Sequence, residues 1–243
     1  MSRKEWFGEW FDSPYYHILY RHRDKEEAEY FIDNLLAYLN PEKDAKMMDL
    51  ACGKGRHSIY LNKKGYYVTG LDLSPSNIEY ARKYSNDRLV FNVHDMREVY
   101  HEQKFDYIFN LFTSFGYFET KEEHRRTIKA IKGSLKPGGY FVLDFLNPYV
   151  VINELIEEEV KRLEGIEFHI KRYVENGYII KRIEFYDEGE RFNFYEKVKT
   201  IRRREFEEFF KEAGLKLKHT FGSYELDDYH PERSQRLIFI TQA

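Results

Sequence analysis

The sequence predicts an α/β protein, a doubly wound parallel sheet that carries a small antiparallel meander. Three observations predict it. A strand–turn–helix–strand unit, MMDLACGKGRHSIYLNKKGYYVTGLD, runs from Met47 to Asp72. Apolar runs and amphipathic segments then alternate as far as Leu146, the rhythm of helices packed on a parallel sheet. From about Val160 to Ile201 the period changes to apolar–charged alternation, which suits antiparallel strands with one wet face.

In chain order, residues 1–24 are rich in aromatics (Trp6, Phe7, Trp10, Phe11, Tyr15, Tyr16, Tyr20) without long periodicity and read as a cap on the main domain. From Asp24 the spacing of Ala28, Phe31, Ile32, Leu35 and Leu39 predicts one helix, ended by Pro41. In the opening unit an apolar run ends at Asp49, glycines 53 and 55 make a turn, and a helix runs to Gly65. A second strand then ends on Asp72. Ser74-Pro75 is an N-cap with proline at the first helical position, for a helix to about Tyr84. Leu89 to Val93 and Phe105 to Phe112 read as the third and fourth strands. Thr120 and Glu123 form a capping-box pattern for a helix that stops at Lys136-Pro137-Gly138-Gly139, before a buried strand from Tyr140 to Leu146. Asn176-Gly177 and the Asp187–Glu190 segment separate three strands of the meander. A helix carrying Phe206, Phe209, Phe210 and Ala213 ends at Gly214, and Leu215 to Phe221 and Arg236 to Thr241 supply two last strands. The expected division is a cap and helix over 1–45, a core over 46–150 and 201–243, and an inserted sheet over 151–200 on the acceptor side.

The bulk properties narrow the partners. With 243 residues and 42% hydrophobic composition the chain can bury one large core. A formal charge of −3 gives no general attraction to phosphate backbones, so a nucleic-acid partner is not expected. The single cysteine, Cys52, allows no internal disulfide and fits a reducing compartment. The segment MSRKEWFGEWFDSPYY has no apolar core of signal-peptide length, and no stretch approaches the roughly 20 apolar residues of a membrane helix. A cytoplasmic location without membrane contact is the expectation, and no metal ligand set is read.

The chemistry lies at the strand ends, where ligands bind sheets of this kind. A dinucleotide fingerprint requires a third glycine at position 58, which is Ser58, and no P-loop follows. A pyrophosphate ligand is therefore disfavoured. Asp72 can accept hydrogen bonds from two ribose hydroxyls. Asp95 can accept from an adenine amine while the Met96 N–H donates to the ring, and Asp49 can attract an ammonium. Taken singly, each acid serves equally well as a helix cap or a solvated loop residue. Taken together, they describe adenosine joined to an α-amino acid, the shape of S-adenosylmethionine.

The chain resembles the class I S-adenosylmethionine-dependent methyltransferases. The resemblance rests on DLACGKG at 49–55, GLDLS at 70–74, HDM at 94–96, FDYIFNLF at 105–112, LKPGGYFVLDF at 135–145 and EFEEFFKEAGL at 205–215. It implies a Rossmann-like doubly wound seven-stranded sheet of order 3-2-1-4-5-7-6 with strand 7 antiparallel. It also implies an enzyme that uses S-adenosyl-L-methionine. The methionine moiety is then expected against Asp49, Ala51, Gly53 and Gly55, the ribose on Asp72, and the adenine between Leu73 and Asp95-Met96. Asn110 and Leu111 would border the sulfonium. TSFGYF at 113–118 and the late insertion resemble bacterial small-molecule N-methyltransferases, those acting on amino sugars and the glycine type. Tyr15-Tyr16 resembles the tyrosine segment that closes over the cofactor in such enzymes. N-P-P-Y or D-P-P-Y of base methyltransferases is missing, since Asn110 is followed by Leu-Phe-Thr.

The expected reaction is methyl transfer to an N or O atom of a small molecule, with Tyr15, Thr113, Ser114, Phe115 and Tyr117 as candidate acceptor contacts. No general base is assigned. His17, His124, His169 and His230 border the acceptor side but serve as well as surface or structural groups. His57 reads as a packing or capping residue, and Cys52 as a small loop side chain. Two other readings remain open: an RNA- or protein-directed methyltransferase, for which Arg202-Arg203-Arg204 would count, and a nucleotide-binding module or NAD oxidoreductase.

Overall fold

The computed structural model describes residues 6–20 and 25–243. Residues 1–5 and 21–24 of the expected cap, with the side chains of residues 6–8 and 25, lie outside the described residues. The cap contains two short helices, α1 (Trp6–Phe11) and α2 (Pro14–Leu19), and α3 (Lys25–Leu39) follows. Ser13 accepts the Tyr15 N–H and Pro14 opens α2, so the local sequence accounts for a helix that periodicity alone was too short to reveal.

The core then runs β1 (Lys46–Leu50), α4 (Arg56–Lys63), β2 (Tyr67–Asp72), α5 (Pro75–Arg82), β3 (Leu89–Val93), β4 (Phe105–Asn110), α6 (Lys121–Ser134) and β5 (Leu135–Leu146). It resumes with α8 (Arg203–Ala213), β10 (Lys216–Phe221) and β11 (Arg236–Gln242), after α7 (Pro148–Asn153) and the inserted strands β6 (Glu158–Leu163), β7 (Ile166–Glu175), β8 (Tyr178–Asp187) and β9 (Glu190–Lys199). The seven-stranded sheet has the order β10-β11-β5-β4-β1-β2-β3. Its β1–β2, β1–β4, β2–β3 and β4–β5 pairs are parallel, while β11 is antiparallel to both β5 and β10. This is the implied order, with the last strand reversed. The direction of winding changes between β1 and β4, and a ligand crevice forms outside the strand ends at such a point.

One apolar layer packs Ile128 and Ile131 of α6 and Phe206, Phe209 and Phe210 of α8 on one face of the sheet. Phe31, Ile32 and Leu35 of α3, with Leu61, Ile78 and Ala81, cover the other. A third cluster joins Trp10 and Leu19 of the cap to Phe168, Ile170, Ile183 and Phe185 of the inserted sheet. The Trp10 indole N–H donates to Glu196 at 2.8 Å.

The inserted sheet has four strands, β6-β7-β8-β9, where the sequence predicts three. Glu164 and Gly165 both have positive φ, 49° and 82°, and make a tight hairpin turn. Most of β6 is exposed, so it lacks the apolar alternation that betrays a half-buried strand. Helix α6 also ends earlier than its glycines suggest, at Ser134, and Lys136 to Gly139 already belong to β5. Among the described residues no helix is long and apolar enough to cross a membrane.

Candidate cofactor cleft

The loop after β1 is shaped by backbone conformation. Ala51, Gly53 and Gly55 all have positive φ. At Gly55 a Cβ would also lie 2.7 Å from the Phe91 ring, so this position needs glycine twice over. The Cys52 N–H donates to Leu71 O at 2.9 Å and holds the loop to the end of β2. Asp72 spans the gap between loop and helix: Oδ2 accepts the Gly53 N–H at 2.8 Å and Oδ1 the Ser74 N–H at 2.9 Å. Burial raises its carboxyl above the usual range, while these two amides pull the other way.

Asp49 is buried one layer deeper. The Ser58 hydroxyl donates to its Oδ2 at 2.6 Å. Burial pushes its carboxyl up to about 6, and the charge of Asp72 adds to the effect. Ser58 occupies the place of the missing third glycine. Room for it comes from the neighbouring strand, because a Cβ at Gly70 would lie 2.8 Å from the Ser58 oxygen.

An open cleft of about 930 Å³ lies beyond the carboxyl ends of β1 to β4. Leu50, Ala51 and Gly53 form its floor, and Asp72, Leu73, Ser74 and Asn77 one side. His94, Asp95, Met96 and Arg97 form the next side, and Phe112, Ser114, Tyr117 and Phe118 come from the segment after β4. Phe11 and Tyr16 of the cap roof it, with ring centroids 5.0 Å apart, and Phe11 meets Tyr117 at 5.3 Å. Asp12 clasps the cap to the core through the hydroxyls of Ser74, at 2.5 Å, and Ser76.

Of the residues singled out from the sequence, Tyr16, Ala51, Gly53, Asp72, Leu73, Asp95, Met96, Ser114 and Tyr117 meet in this cleft. The others stand outside its lining. Asp49 lies behind the loop, and Gly55 packs on Phe91. Asn110 is fully buried and donates to Leu50 O at 2.9 Å, leaving its Oδ1 without a partner. Leu111 is buried in the layer beneath α3. Thr113 accepts from Arg236 at 2.9 Å, and Phe115 packs against His124 and Phe206. Tyr15 faces the inserted sheet, its ring tilted against those of Phe185 and Phe192, with its hydroxyl donating to Asp187.

The sequence reading missed Phe11, Leu50, Ser74, Asn77, His94, Arg97, Phe112 and Phe118 as lining residues. Ser74 and Asn77 had a signal, since an N-cap directly after Asp72 points the first turn of α5 at the ligand. Asn77 is 3% exposed and its Oδ1 has no partner. Phe112 had none: like Thr113 beside it, it adopts positive φ, held by distant groups. The Phe112 N–H donates to the fully buried Asp144 at 2.7 Å, and Arg236 Nε donates to the same carboxylate at 2.8 Å. That contact joins residues 92 positions apart.

The histidines divide clearly. His57 is buried and stacks on Phe112 at 5.0 Å, and burial pushes its imidazole down to about 3. Burial likewise lowers His17 and His124. His124 Nδ1 lies 2.8 Å from Thr120 O, His169 pairs with Glu167 at 3.0 Å, and His230 is exposed. Among the described residues His94 is the one histidine that lines the cleft, and its Nε2 lies 2.9 Å from Glu98 O. Cys52 is buried, which raises its thiol well above the ordinary range. Among the described residues no three His, Cys, Asp or Glu side chains are grouped to hold a metal ion.

Comparison with known proteins agrees with this geometry. A family model described as a methyltransferase domain matches residues 20–220. The chain is 28% identical over 218 residues to the dTDP-3-amino-3,4,6-trideoxy-alpha-D-glucopyranose N,N-dimethyltransferase of Streptomyces venezuelae, covering 85% of this chain and 91% of that one. It is 26% identical over 229 residues to the glycine/sarcosine N-methyltransferase of Aphanothece halophytica, covering 90% and 83%. A crystal structure of an S-adenosylmethionine-dependent methyltransferase from Clostridium acetobutylicum superposes with a TM-score of 0.79 at 19% identity, covering 94% of this chain and 95% of that one. The fold is that of the class I S-adenosylmethionine-dependent methyltransferases, and the chain belongs to the methyltransferase-domain family.

Proposed function

We propose that the protein is an S-adenosylmethionine-dependent methyltransferase that transfers a methyl group to an N or O atom of a small molecule. The observation that carries this reading is Asp72, fixed by the Gly53 and Ser74 amides at the edge of the cleft. Each of its oxygens accepts one backbone amide and keeps acceptor capacity for a ribose hydroxyl. Aromatic and apolar side chains line much of the cleft, and Asn77 brings to its wall a buried amide whose oxygen lacks a partner.

When bound, S-adenosylmethionine supplies an electrophilic methyl on a sulfonium. The chain's own residues do the rest. Ala51 and Gly53 bear on the amino-acid end, with Asp49 and Gly55 behind them. Asp72 holds the ribose, and Leu73, Asp95 and Met96 the adenine. Asn110 and Leu111 back the floor near the sulfonium. Tyr16 and Phe11 exclude water from above, and Ser114 and Tyr117 meet the acceptor, with Thr113 and Phe115 setting their loop and Tyr15 anchoring the cap. Holding the acceptor in line with the methyl supplies much of the rate, and a roofed cleft adds to it. The division is a cap and helix over 1–45, a core made of 46–150 and 201–243, and an insert over 151–200 on the acceptor side.

Relatives that act on an amino sugar and on glycine support a small acceptor. An RNA-directed reading is weakened at its arginine run: Arg203 pairs with Glu207 at 2.7 Å and Arg204 with Glu208 at 3.5 Å. A cytoplasmic site of action, which the buried thiol of Cys52 suits, belongs to the same proposal. Calorimetry with S-adenosylmethionine, S-adenosylhomocysteine and NAD tests the cofactor, and tight binding of NAD alone would overturn it. A labelled-methyl screen over amino sugars, amino acids, hydroxylated small molecules and RNA tests the acceptor. Label found only in RNA would exclude the small-molecule reading.

A further inference from the structure

The side chain expected to read the nucleobase is already occupied. The Arg97 N–H donates to Asp95 Oδ1 at 2.9 Å, its Nε lies 3.0 Å from both carboxylate oxygens, and its Nη2 lies 2.6 Å from Oδ2. On its far side, Arg97 Nη1 donates to Glu123 Oε1 at 2.9 Å. The guanidinium also lies over the Phe118 ring, 5.0 Å from its centroid. Glu123 is itself fixed, because its Oε2 accepts from the backbone and hydroxyl of Thr120 in the capping box of α6. Arg97, Asp95 and Phe118 all line the cleft.

An ionised carboxylate only accepts hydrogen bonds and a guanidinium only donates them. The two therefore favour opposite purines. A cleft wall that presents Asp95 welcomes an exocyclic amine, whereas one that presents Arg97 welcomes a carbonyl oxygen at the same ring position. Burial works against the charge of Asp95, yet the hydrogen bonds and charge of Arg97 outweigh it and hold the carboxyl below its usual range. Glu123 and Phe118 keep the guanidinium from turning inward.

We propose that Arg97 is a positioning residue for nucleobase selection: engaged by Asp95 and Glu123, it makes the cleft accept a 6-amino purine and reject the 6-oxo counterpart. The inference rests on the reading that Asp95 faces the adenine. It also links the cofactor site to the acceptor loop, since Phe118 and Thr120 belong to the segment that follows β4.

The test compares S-adenosylhomocysteine with S-inosylhomocysteine, titrated into the full chain and into Arg97→Ala, Arg97→Lys and Asp72→Ala. Wild type should favour the adenosine ligand, and both Arg97 variants should shrink that preference by about tenfold or more. Asp72→Ala should weaken both ligands and leave their ratio unchanged. A merely structural Arg97 would weaken both alike, so an unchanged ratio in its variants overturns the proposal. If Arg97→Ala fails to fold, Arg97→Lys is read by the same ratio. A wild type that binds neither ligand overturns the cofactor reading and this inference together. One that binds both equally removes the role of Asp95 and this inference, but leaves the cofactor reading standing.

Discussion

Ser58 donates a 2.6 Å hydrogen bond to the buried carboxylate of Asp49, and it does so from the position where a dinucleotide fold would carry a glycine. Loop and helix are joined by a side-chain bond at this point, with Gly70 on the adjoining strand giving way to admit the hydroxyl. Removing the hydroxyl strips the buried carboxyl of its side-chain donor and leaves it the backbone N–H of residue 58. Ser58→Ala should destabilise the fold by about 1–3 kcal/mol near neutral pH, read from denaturant midpoints. A change within error would mean that Asp49 finds another donor.

The pH dependence of Asp49 follows with a definite sign. Its folded carboxyl titrates near 6, above the ordinary range from which an unfolded chain would titrate. Between those values the folded state holds a proton that the unfolded state has lost, so stability falls as pH rises through the window and is level beyond it. The difference amounts to about 3 kcal/mol at most. Asp49→Asn should remove this part of the slope, seen by subtracting its stability–pH curve from that of wild type. Parallel curves would show that Asp49 ionises normally.

Asp72→Ala should weaken S-adenosylhomocysteine binding by about tenfold or more, since a carboxylate accepting from ribose hydroxyls forms charge-assisted bonds. Calorimetry measures it directly. Thermal unfolding of the same variant separates this effect from loss of the loop, because Gly53 and Ser74 also lose their acceptor. Undiminished affinity would place the ribose elsewhere.

How much of this was legible in the sequence depended on how far apart the partners lie. Thr120 with Glu123, Ser74 with Pro75, and Gly214 at the end of α8 are local patterns, and each stands where its chemistry predicts. Asp72 was legible because it ends the second strand of the strand–turn–helix–strand unit. Strand β6 was not, because its burial is too slight to pattern its residues. Nor was the left-handed backbone at Phe112 and Thr113, imposed by Asp144 and Arg236 from elsewhere in the sheet. Arg97 was passed over for a related reason: its partner Glu123 is 26 positions away.

The pair of Asp144 and Arg236 makes a strong demand on the fold. Asp144 is fully buried, which raises its carboxyl, and the charge of Arg236 beside it opposes that rise. Breaking such a pair from one side leaves the other charge stranded, so Arg236→Ala should destabilise by about 3–5 kcal/mol. Thermal or denaturant unfolding checks the figure. Thr113 would lose its bond from Arg236 as well, so any activity should fall further than the folded fraction does.

The cap is held unequally at its two ends. Trp10 and Leu19 are buried against the inserted sheet, whereas the clasp to the cofactor side is Asp12 on Ser74 and Ser76. Hydrogen bonds to those two hydroxyls hold the Asp12 carboxyl below its usual range, so the clasp persists well under neutral pH. Phe11 and Tyr16 roof the cleft from the same segment, so a ligand that fills it must enter or leave past them. Asp12→Ala should therefore loosen the roof while leaving the aromatic packing on the insert intact. In stopped-flow exchange of S-adenosylhomocysteine, association and dissociation should both accelerate, by about the same factor, with the equilibrium affinity little changed. Unaltered rates would show that the cap opens elsewhere. A rise in the dissociation rate alone would show that Asp12 stabilises the bound state without gating entry.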